Sequence, residues 1–426
     1  CQMKPLVSLF AVLALGALPA HADTIVVRAG HLIEPATGAV LADQAITVTD
    51  GRVSAVAPWR GVPEGTAVVD WRAYWVLPGL IDCHVHLADV GQTNDPAEPL
   101  KHSAEETAYI GARNARLTLN AGFTTVHDVG SWRATGNIEL RNAINRGDIP
   151  GPRINAVGGY ITAPGGGGEI TGLPPGTVVP PEMRVGVAAT PAEVRRKVNV
   201  MFDLGADSIK VIATGAVLTE GTEPGQVELD GPAILAAVKT AQEHGSWVTS
   251  HAHGAQGIKL AIIAGSRGIE HASLIDDVGI ALAKARGTYL VMDVYNGDYI
   301  ADVGRREGWS ADTLRKNDET TEAQRQGFAK AVKAEVKLPF GTDAGVFPHG
   351  LNARQFRYMV KYGMTPLQAV QSSTTTAAEF LGWDKDVGSL TPGHYADMVA
   401  VGANPLEDIS ALERVDHVMK GGVLVR

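Results

Sequence analysis

The stretch LPGLIDCHVHL at residues 77–87 decides the fold, because its apolar run leads directly into two histidines. Residues i and i+2 of a strand point to the same face, so His84 and His86 would aim their imidazoles at one point. A metal ion is one group that could occupy that point. The pattern alone is weak, since the chain repeats it at His251 and His253. Further ligands elsewhere in the sequence must decide between a metal site and a chance pair.

The composition is that of a globular chain that binds neither nucleic acid nor a membrane. Of the 426 residues, 45% are hydrophobic and 19% are charged, which argues against extensive disorder. The net charge is −9, and the sequence has no run of Lys and Arg that would bind a polyanion or an anionic lipid surface. The length fits one large α/β barrel or two ordinary domains.

The N-terminal segment has the pattern of a secretory signal peptide. Lys4 precedes an apolar run over residues 6–18, and Ala-His-Ala at residues 20–22 resembles a cleavage site. A buried N-terminal helix is the alternative. We expect residues 1–22 to be removed and the protein to be exported to the periplasm or the medium. Cys83 is then the only cysteine, so no intrachain disulfide can form, and we expect a small buried residue there rather than a nucleophile.

Both ends of the chain consist of short β-type runs separated by turns. In residues 23–75, Asp50-Gly51 between two such runs is a strong hairpin signal. Residues 385–426 repeat the pattern, with Gly421-Gly422 at a turn. We expect the two ends to pack together as one accessory β-sandwich domain.

The middle of the chain, residues 76–384, alternates short apolar strands with helical stretches. Eight strands in βα alternation predict a closed (β/α)8 TIM barrel, so the fold class is α/β. A doubly wound sheet is the alternative. It would need a Gly-rich phosphate-binding turn after its first strand, where this chain has His84-Val85-His86 instead.

One Gly- and Pro-rich segment interrupts the alternation. It is the glycine loop, residues 158–182, which follows the third predicted strand and contains four consecutive glycines. A loop this long in a compact domain is usually functional or disordered. We expect it to overhang the carboxyl end of the barrel as a flexible active-site loop.

Further candidate ligands stand near the carboxyl ends of other predicted strands, the face on which barrel enzymes carry their sites. Each alone has an ordinary explanation, such as a hydrogen-bonded core histidine, but their common placement does not. The six candidates, from five strands, are His84, His86, Lys210, His251, His271 and Asp343.

Imidazoles and a carboxylate suit zinc and related divalent metals, and two neighbouring metals need a bridging anion. A protonated lysine is a poor ligand. If burial removes the proton from Lys210, its amine can react with CO2 and become an anionic bridge with two oxygens.

The sequence resembles the amidohydrolase superfamily over essentially the whole chain after residue 22. The matching motifs are LPGLIDCHVHL, IKVIATG, SHAHG, IEHAS and GTDAG. The resemblance implies that His84, His86 and Asp343 hold a more buried metal, that His251 and His271 hold a second, and that carboxylated Lys210 bridges two zinc ions.

The resemblance also implies a mechanism and a branch of the superfamily. A hydroxide between the metals would attack a carbonyl carbon, and Asp343 would carry the proton to the leaving nitrogen. The motifs are most similar to prolidase-like and Xaa-Arg dipeptidase-like enzymes and to bacterial amidohydrolases that split ochratoxin A. We therefore expect hydrolysis of the amide bond to a C-terminal amino acid.

Such a substrate has a free carboxylate, which needs donors near the mouth of the barrel. We expect Tyr295 and His349 to bind it, His253 to contact substrate or support a ligand, and His127 to lie at the mouth. Each could instead be an ordinary loop or supporting residue. Related enzymes often have Arg in place of His127, and TGGH where this chain has APGGGG, which favours bulky or apolar acyl groups.

Three other functions stay open at this point. A cyclic-amide hydrolase of the imidazolonepropionase type uses similar motifs. A deaminase usually works with one metal, so Lys210 argues against it. A periplasmic binding protein without catalysis would be expected to have lost ligands, and none of the six is missing. Superfamily members are often homo-oligomers, which leaves self-association open here.

Overall fold

The computed structural model describes residues 24–91, 93 and 95–426. The predicted signal peptide, residues 1–22, lies outside the described residues. The protein has mixed α/β content.

The strands are β1 (Thr24–Glu34), β2 (Ala39–Thr49), β3 (Arg52–Pro58), β4 (Ala67–Pro78), β5 (Leu80–Val85), β6 (Phe123–Asp128), β7 (Arg153–Ala156), β8 (Tyr160–Ile161), β9 (Ile209–Ile212), β10 (Val248–Gly254), β11 (Gly268–Leu274), β12 (Tyr289–Val291), β13 (Met398–Val401), β14 (Val415–Lys420) and β15 (Val423–Leu424). The α-helices are α1 (Ala104–Asn120), α2 (Gly136–Arg146), α3 (Pro191–Leu204), α4 (Gly231–Glu243), α5 (Ala255–Ala264), α6 (Asp277–Arg286), α7 (Asn296–Glu307), α8 (Ala311–Lys333), α9 (Arg354–Lys361), α10 (Pro366–Ser372) and α11 (Thr375–Leu381). Short 3-10 helices occupy Glu98–Lys101, Pro181–Met183 and Ile409–Glu413.

The two ends of the chain meet in one sheet, called the accessory sheet below. Its order is β15-β14-β13-β4-β1-β2-β3, so the ends share one continuous hydrogen-bonded sheet where we expected a sandwich. The join is the antiparallel pairing of β13 with the end of β4, in which Met398 lies opposite Pro78. The predicted hairpin is present, because Thr49 pairs with Arg52 and both turn residues, Asp50 and Gly51, have positive φ.

The middle of the chain forms two parallel sheets, in the orders β5-β6-β7 and β12-β11-β10-β9-β8. The strands β7 and β8 belong to one stretch of chain, which pairs with β6 through its first part and with β9 through its second. The expected eighth strand, residues 337–344, runs between β12 and β5. It accepts backbone hydrogen bonds from Leu290 on one side (3.1 Å to Lys337) and from Cys83 on the other (2.8 Å to Phe340).

The largest core cluster lies where the helices cover the parallel strands, and a separate cluster fills the inner face of the accessory sheet. Local signals set several helix starts. Ser103 accepts from the Glu106 backbone and Glu106 from that of Ser103, a capping box at the start of α1. None of the described helices combines the length and the apolar character that crossing a membrane requires.

Candidate metal centre

The histidine pair that ends β5 meets an aspartate from the 337–344 segment. His84 Nε2 lies 3.4 Å, and His86 Nε2 3.3 Å, from the same oxygen, Asp343 Oδ1. His84 Nε2 is buried and has no hydrogen-bond partner in the described part of the chain. A buried imidazole nitrogen left without a donor or acceptor is a polar atom that a metal ion would satisfy.

Supporting groups fix which nitrogen of each of these histidines faces the site. His84 Nδ1 donates to Glu270 Oε2 at 2.8 Å, and Glu270 also accepts from the Thr249 hydroxyl. Burial opposes charge on both members of this pair, but their mutual attraction outweighs it. The pKa of His84 is raised to about 9, with Asp343 contributing, and the pKa of Glu270 is lowered to about 2. Partners of this kind orient the ring of a metal-binding histidine and increase its basicity.

A second chain of polar groups stands behind His86. Its Nδ1 donates to the Gly130 carbonyl at 2.8 Å and lies 3.1 Å from the Tyr160 hydroxyl. Tyr160 in turn donates to Asp89, which also accepts from the Trp132 backbone. Burial raises the pKa of Asp89 to about 7.

A second imidazole cluster comes from β10 and β11. The rings of His251, His253 and His271 lie 4.5–4.6 Å apart by their centroids, and one nitrogen of each could reach a common ion. Nδ1 of His271 lies 3.1 Å from Asp293 Oδ1, and Nδ1 of His253 lies 2.8 Å from the Ser273 hydroxyl. The sequence analysis proposed only His251 and His271 as ligands in this cluster, and the structure adds His253 to it.

Lys210 lies on β9 with 2% of its surface exposed, and it lines the same cavity as both clusters. Burial lowers the pKa of its amine, against the opposing effect of Glu270, Asp343 and Asp293. His271, Asp293 and Asp343 also form a third group with metal-binding geometry, which connects the two clusters. The donor set, imidazoles with carboxylates around a buried amine, fits divalent metal ions.

The backbone is strained at the residues that carry the site. His271, Ala272 and Asp343 have φ of +65°, +49° and +60°, in the left-handed region that L-residues rarely adopt. Such conformations persist only where the surrounding packing imposes them, and they cluster at functional sites. No local sequence pattern indicates them.

Sequence reasoning missed several residues of the site. Asn296 Nδ2 donates to Asp343 Oδ2 at 2.9 Å and to Asp293 Oδ2 at 3.2 Å. Gln324 donates to the other oxygen of Asp293 at 2.8 Å. Asp293 lies near the carboxyl end of the seventh predicted strand, residues 288–295, so the strand-end argument could have found it. Glu270 was also detectable, as a carboxylate inside an apolar strand.

The clusters open into a cavity of about 200 Å³. Part of the glycine loop, residues 167–171, lines it, as expected of an active-site loop. The contacts of the glycine loop indicate that it is closely packed rather than flexible as expected. Gly167 N donates to Glu228 at 2.7 Å, and a Cβ on Gly168 would lie 2.9 Å from Ile212 and Thr162. These glycines allow close packing of the loop rather than looseness.

Two predicted carboxylate contacts lie away from the cavity. Tyr295 is 6% exposed, packs on Phe347 at 5.1 Å and accepts a hydrogen bond from Arg354. His349 donates to the His86 carbonyl at 3.2 Å and pairs with Thr118. Neither residue is among those that line the cavity in the described part of the chain. Both side chains are engaged by neighbouring residues, Tyr295 by Phe347 and His349 by Thr118 and the His86 carbonyl, and sequence position alone could not place them.

His127 is also misplaced by the sequence argument. It is fully buried between Trp247 and Phe380, and its Nε2 lies 3.2 Å from the Ser208 hydroxyl. Burial lowers its pKa to about 3. In β6 it lies opposite Asn155 of β7, and its side chain is buried in the core rather than lining the cavity.

Comparison with known proteins identifies the family. Residues 75–425 match the Amidohydrolase family model. Ochratoxinase from Aspergillus niger is 31% identical over 431 residues, covering 95% of this chain and 87% of that protein. A crystal structure of a Xaa-Pro dipeptidase with methionine bound in its active site superposes with a TM-score of 0.88 at 35% identity, covering 94% of this chain and 99% of the other. The A. niger ochratoxinase structure gives a TM-score of 0.83 at 28% identity over 96% of both chains. The chain therefore belongs to the amidohydrolase family and is a hydrolase that acts on amide bonds.

Proposed function

We propose that the protein is a binuclear metal-dependent amidohydrolase that releases a C-terminal amino acid from an amide or peptide. The observation that carries the proposal is the pair of histidine clusters, connected through Asp343 and His271, around a buried lysine amine. We further propose that the eight parallel segments close into a (β/α)8 barrel, with the site at their carboxyl ends.

Each ligand has a place in this proposal. His84, His86 and Asp343 would hold one ion and His251 and His271 the other. Lys210, as its carbamate, would supply the bridging anion. Burial of Lys210 favours the neutral amine, and that amine can add CO2 with release of one proton. Zinc suits the donors, which are imidazole nitrogens and carboxylate oxygens.

Bound divalent metals polarise a carbonyl oxygen and lower the pKa of water toward about 7. The protein supplies the proton transfer. Asp343 would accept the proton of the attacking water and deliver it to the leaving nitrogen. Asn296 steadies the second oxygen of Asp343, and His253 faces the cavity where it can contact the substrate.

The walls of the cavity favour a bulky, apolar acyl group. Val217, Ile300 and Val346 line it and belong to one apolar cluster, and Trp132 lines another side. Among the described lining residues, Lys210 is the one lysine or arginine. A free substrate carboxylate would therefore be bound by His253 and neutral donors rather than by an ion pair. Hydrolysis of an ochratoxin-like substrate to phenylalanine fits this cavity, and the signal-peptide pattern supports export.

Metal analysis combined with a substrate panel tests the proposal. We expect about two zinc ions per chain and release of the C-terminal residue from N-acyl-phenylalanine in preference to Xaa-Arg and Xaa-Pro dipeptides. Lys210→Ala should lose metal and activity, whereas Lys239→Ala, at an exposed position of α4, should keep both. Full metal content with hydrolysis of cyclic amides only would refute the assignment in favour of a cyclic-amide hydrolase.

A further inference from the structure

Asn296 begins α7 and lies directly beside the proposed proton carrier. Its Nδ2 donates one hydrogen bond to Asp343 and one to Asp293. Ionised carboxylates only accept hydrogen bonds, so both amide hydrogens are committed and the orientation of the side-chain amide is fixed.

The other end of this amide has no partner. Asn296 is 4% exposed, and its Oδ1 is buried without a hydrogen bond in the described part of the chain. The residue lines the cavity. A buried acceptor left unpaired is costly and rare in folded proteins, which indicates that a donor from a bound molecule completes it.

The chemistry of the site limits what that donor can be. The atom that must approach Asp343 during the reaction is the nitrogen of the scissile amide, because that nitrogen receives the proton. In a secondary amide this nitrogen carries one hydrogen. Nδ2 of the same side-chain amide donates to Asp343, so the acceptor Oδ1 lies one amide group away from that carboxylate.

We propose that Asn296 is a substrate-positioning residue whose Oδ1 accepts a hydrogen bond from the N–H of the scissile amide. The site then favours secondary amides over tertiary ones, such as prolyl or N-methyl amides, which have no such hydrogen. This proposal rests on the proposed amidase function and adds a substrate class to it.

Two matched substrates test the proposal, an N-acyl-alanine and the corresponding N-acyl-N-methylalanine. In the zinc-loaded wild type, kcat/KM for the secondary amide should exceed that for the N-methyl amide by about tenfold or more, the value of one hydrogen bond. In Asn296→Ala this ratio should fall toward one. Gln324→Ala loosens the same carboxylate network through Asp293, so it should slow both substrates and leave the ratio unchanged.

An unchanged ratio in Asn296→Ala, with metal content and folding intact, overturns the proposal. If that variant hydrolyses neither substrate, calorimetric dissociation constants for the two intact amides are compared with those of inactive Asp343→Asn. If Asn296→Ala still binds the secondary amide more tightly than the N-methyl amide, the proposal is overturned. If only Asp343→Asn shows this preference, the proposal is supported. If the zinc-loaded wild type hydrolyses neither amide, the proposed function itself fails and the inference falls with it.

Discussion

Glu270 shows how much of the site depends on residues that need not touch a metal. Its side chain is fully buried and accepts hydrogen bonds from His84 Nδ1 and from Thr249. Since Nδ1 of His84 is occupied in this way, Nε2 is the nitrogen that faces Asp343. Glu270 thus connects the first histidine of the site to the strand that carries His271.

Replacing Glu270 with glutamine should weaken metal binding. An amide oxygen can still accept from His84, but the negative charge that makes the imidazole a better ligand is lost. We expect metal affinity to fall by roughly 10- to 100-fold, measured by zinc retained during dialysis against a graded chelator series. Glu228→Gln is the control. It removes a partly buried carboxylate that accepts from the Gly167 backbone rather than from a candidate ligand, so metal affinity should stay at the wild-type value. Equal metal loss in both variants would contradict the role of Glu270.

For single residues, the sequence was a better guide to the candidate metal ligands than to the residues around them. The strand-end argument selected His84, His86 and Asp343, which the structure brings together. The same argument could not place Tyr295 and His349, because it does not indicate which way a side chain points once the chain leaves its strand.

At the scale of elements, Lys316 of α8 binds the loop between β9 and α4, residues 213–230. Lys316 is fully buried and donates to the carbonyls of Thr219 at 2.8 Å and Thr222 at 3.2 Å, while pairing with Asp312 at 2.9 Å. Thr219 lines the cavity, so Lys316 fixes one of its walls.

Lys316→Met should lower the free energy of unfolding and loosen this wall. The Thr222 carbonyl loses its lysine donor and the Thr219 carbonyl keeps only the Thr222 hydroxyl, which should cost about 1–3 kcal/mol, and KM should rise. Denaturant unfolding and steady-state kinetics measure the two effects. The adjacent Arg315 makes only exposed ion pairs, so Arg315→Met should cost much less stability than Lys316→Met and leave KM unchanged. Indistinguishable effects of the two substitutions would be evidence against the buried anchor.

The glycine loop gives a second prediction for an element. A methyl group at Gly168 would press on Ile212, Thr162 and Tyr160 at 2.9–3.0 Å. Gly168→Ala should therefore destabilise the protein by about 1–3 kcal/mol through overpacking and raise KM. A methyl group at Gly225 would meet no atom within 4 Å, and the φ of this residue is not positive, so Gly225→Ala is the control and should behave as wild type. A harmless Gly168→Ala would restore the expectation of a loose loop.

For the whole molecule, part of the contact between the accessory sheet and the parallel strands is polar and partly buried. Arg153, at the start of β7, pairs with Asp397 at 2.9 Å and stacks on Tyr395. Nearby, Lys420 of β14 donates to the Gly151 carbonyl at 2.7 Å. These contacts bind the end of the chain to its middle.

Lys420 should make stability depend on alkaline pH. Burial, followed by the charge of Arg153, lowers its pKa to about 8, against about 10.4 in an unfolded chain. Between these values the unfolded state binds more protons, so deprotonation favours the folded state and stability rises with pH. Relative to Lys420→Met, the wild type should gain stability from pH 8 to about 10 and show no further change below pH 8. Thermal unfolding of both proteins across that range measures the difference, and a flat difference would contradict the low pKa.

The sequence by itself determined the family motifs, the α/β alternation and the residue types of the metal centre. These are local properties, since ligand chemistry and strand periodicity can be recognised within a few neighbouring residues. Tertiary structure alone decided that Asn296 joins the site and that His127 lies in the core. Contacts between segments distant in the chain set both positions, because Asn296 bonds Asp343 across 47 residues and His127 packs between Trp247 and Phe380.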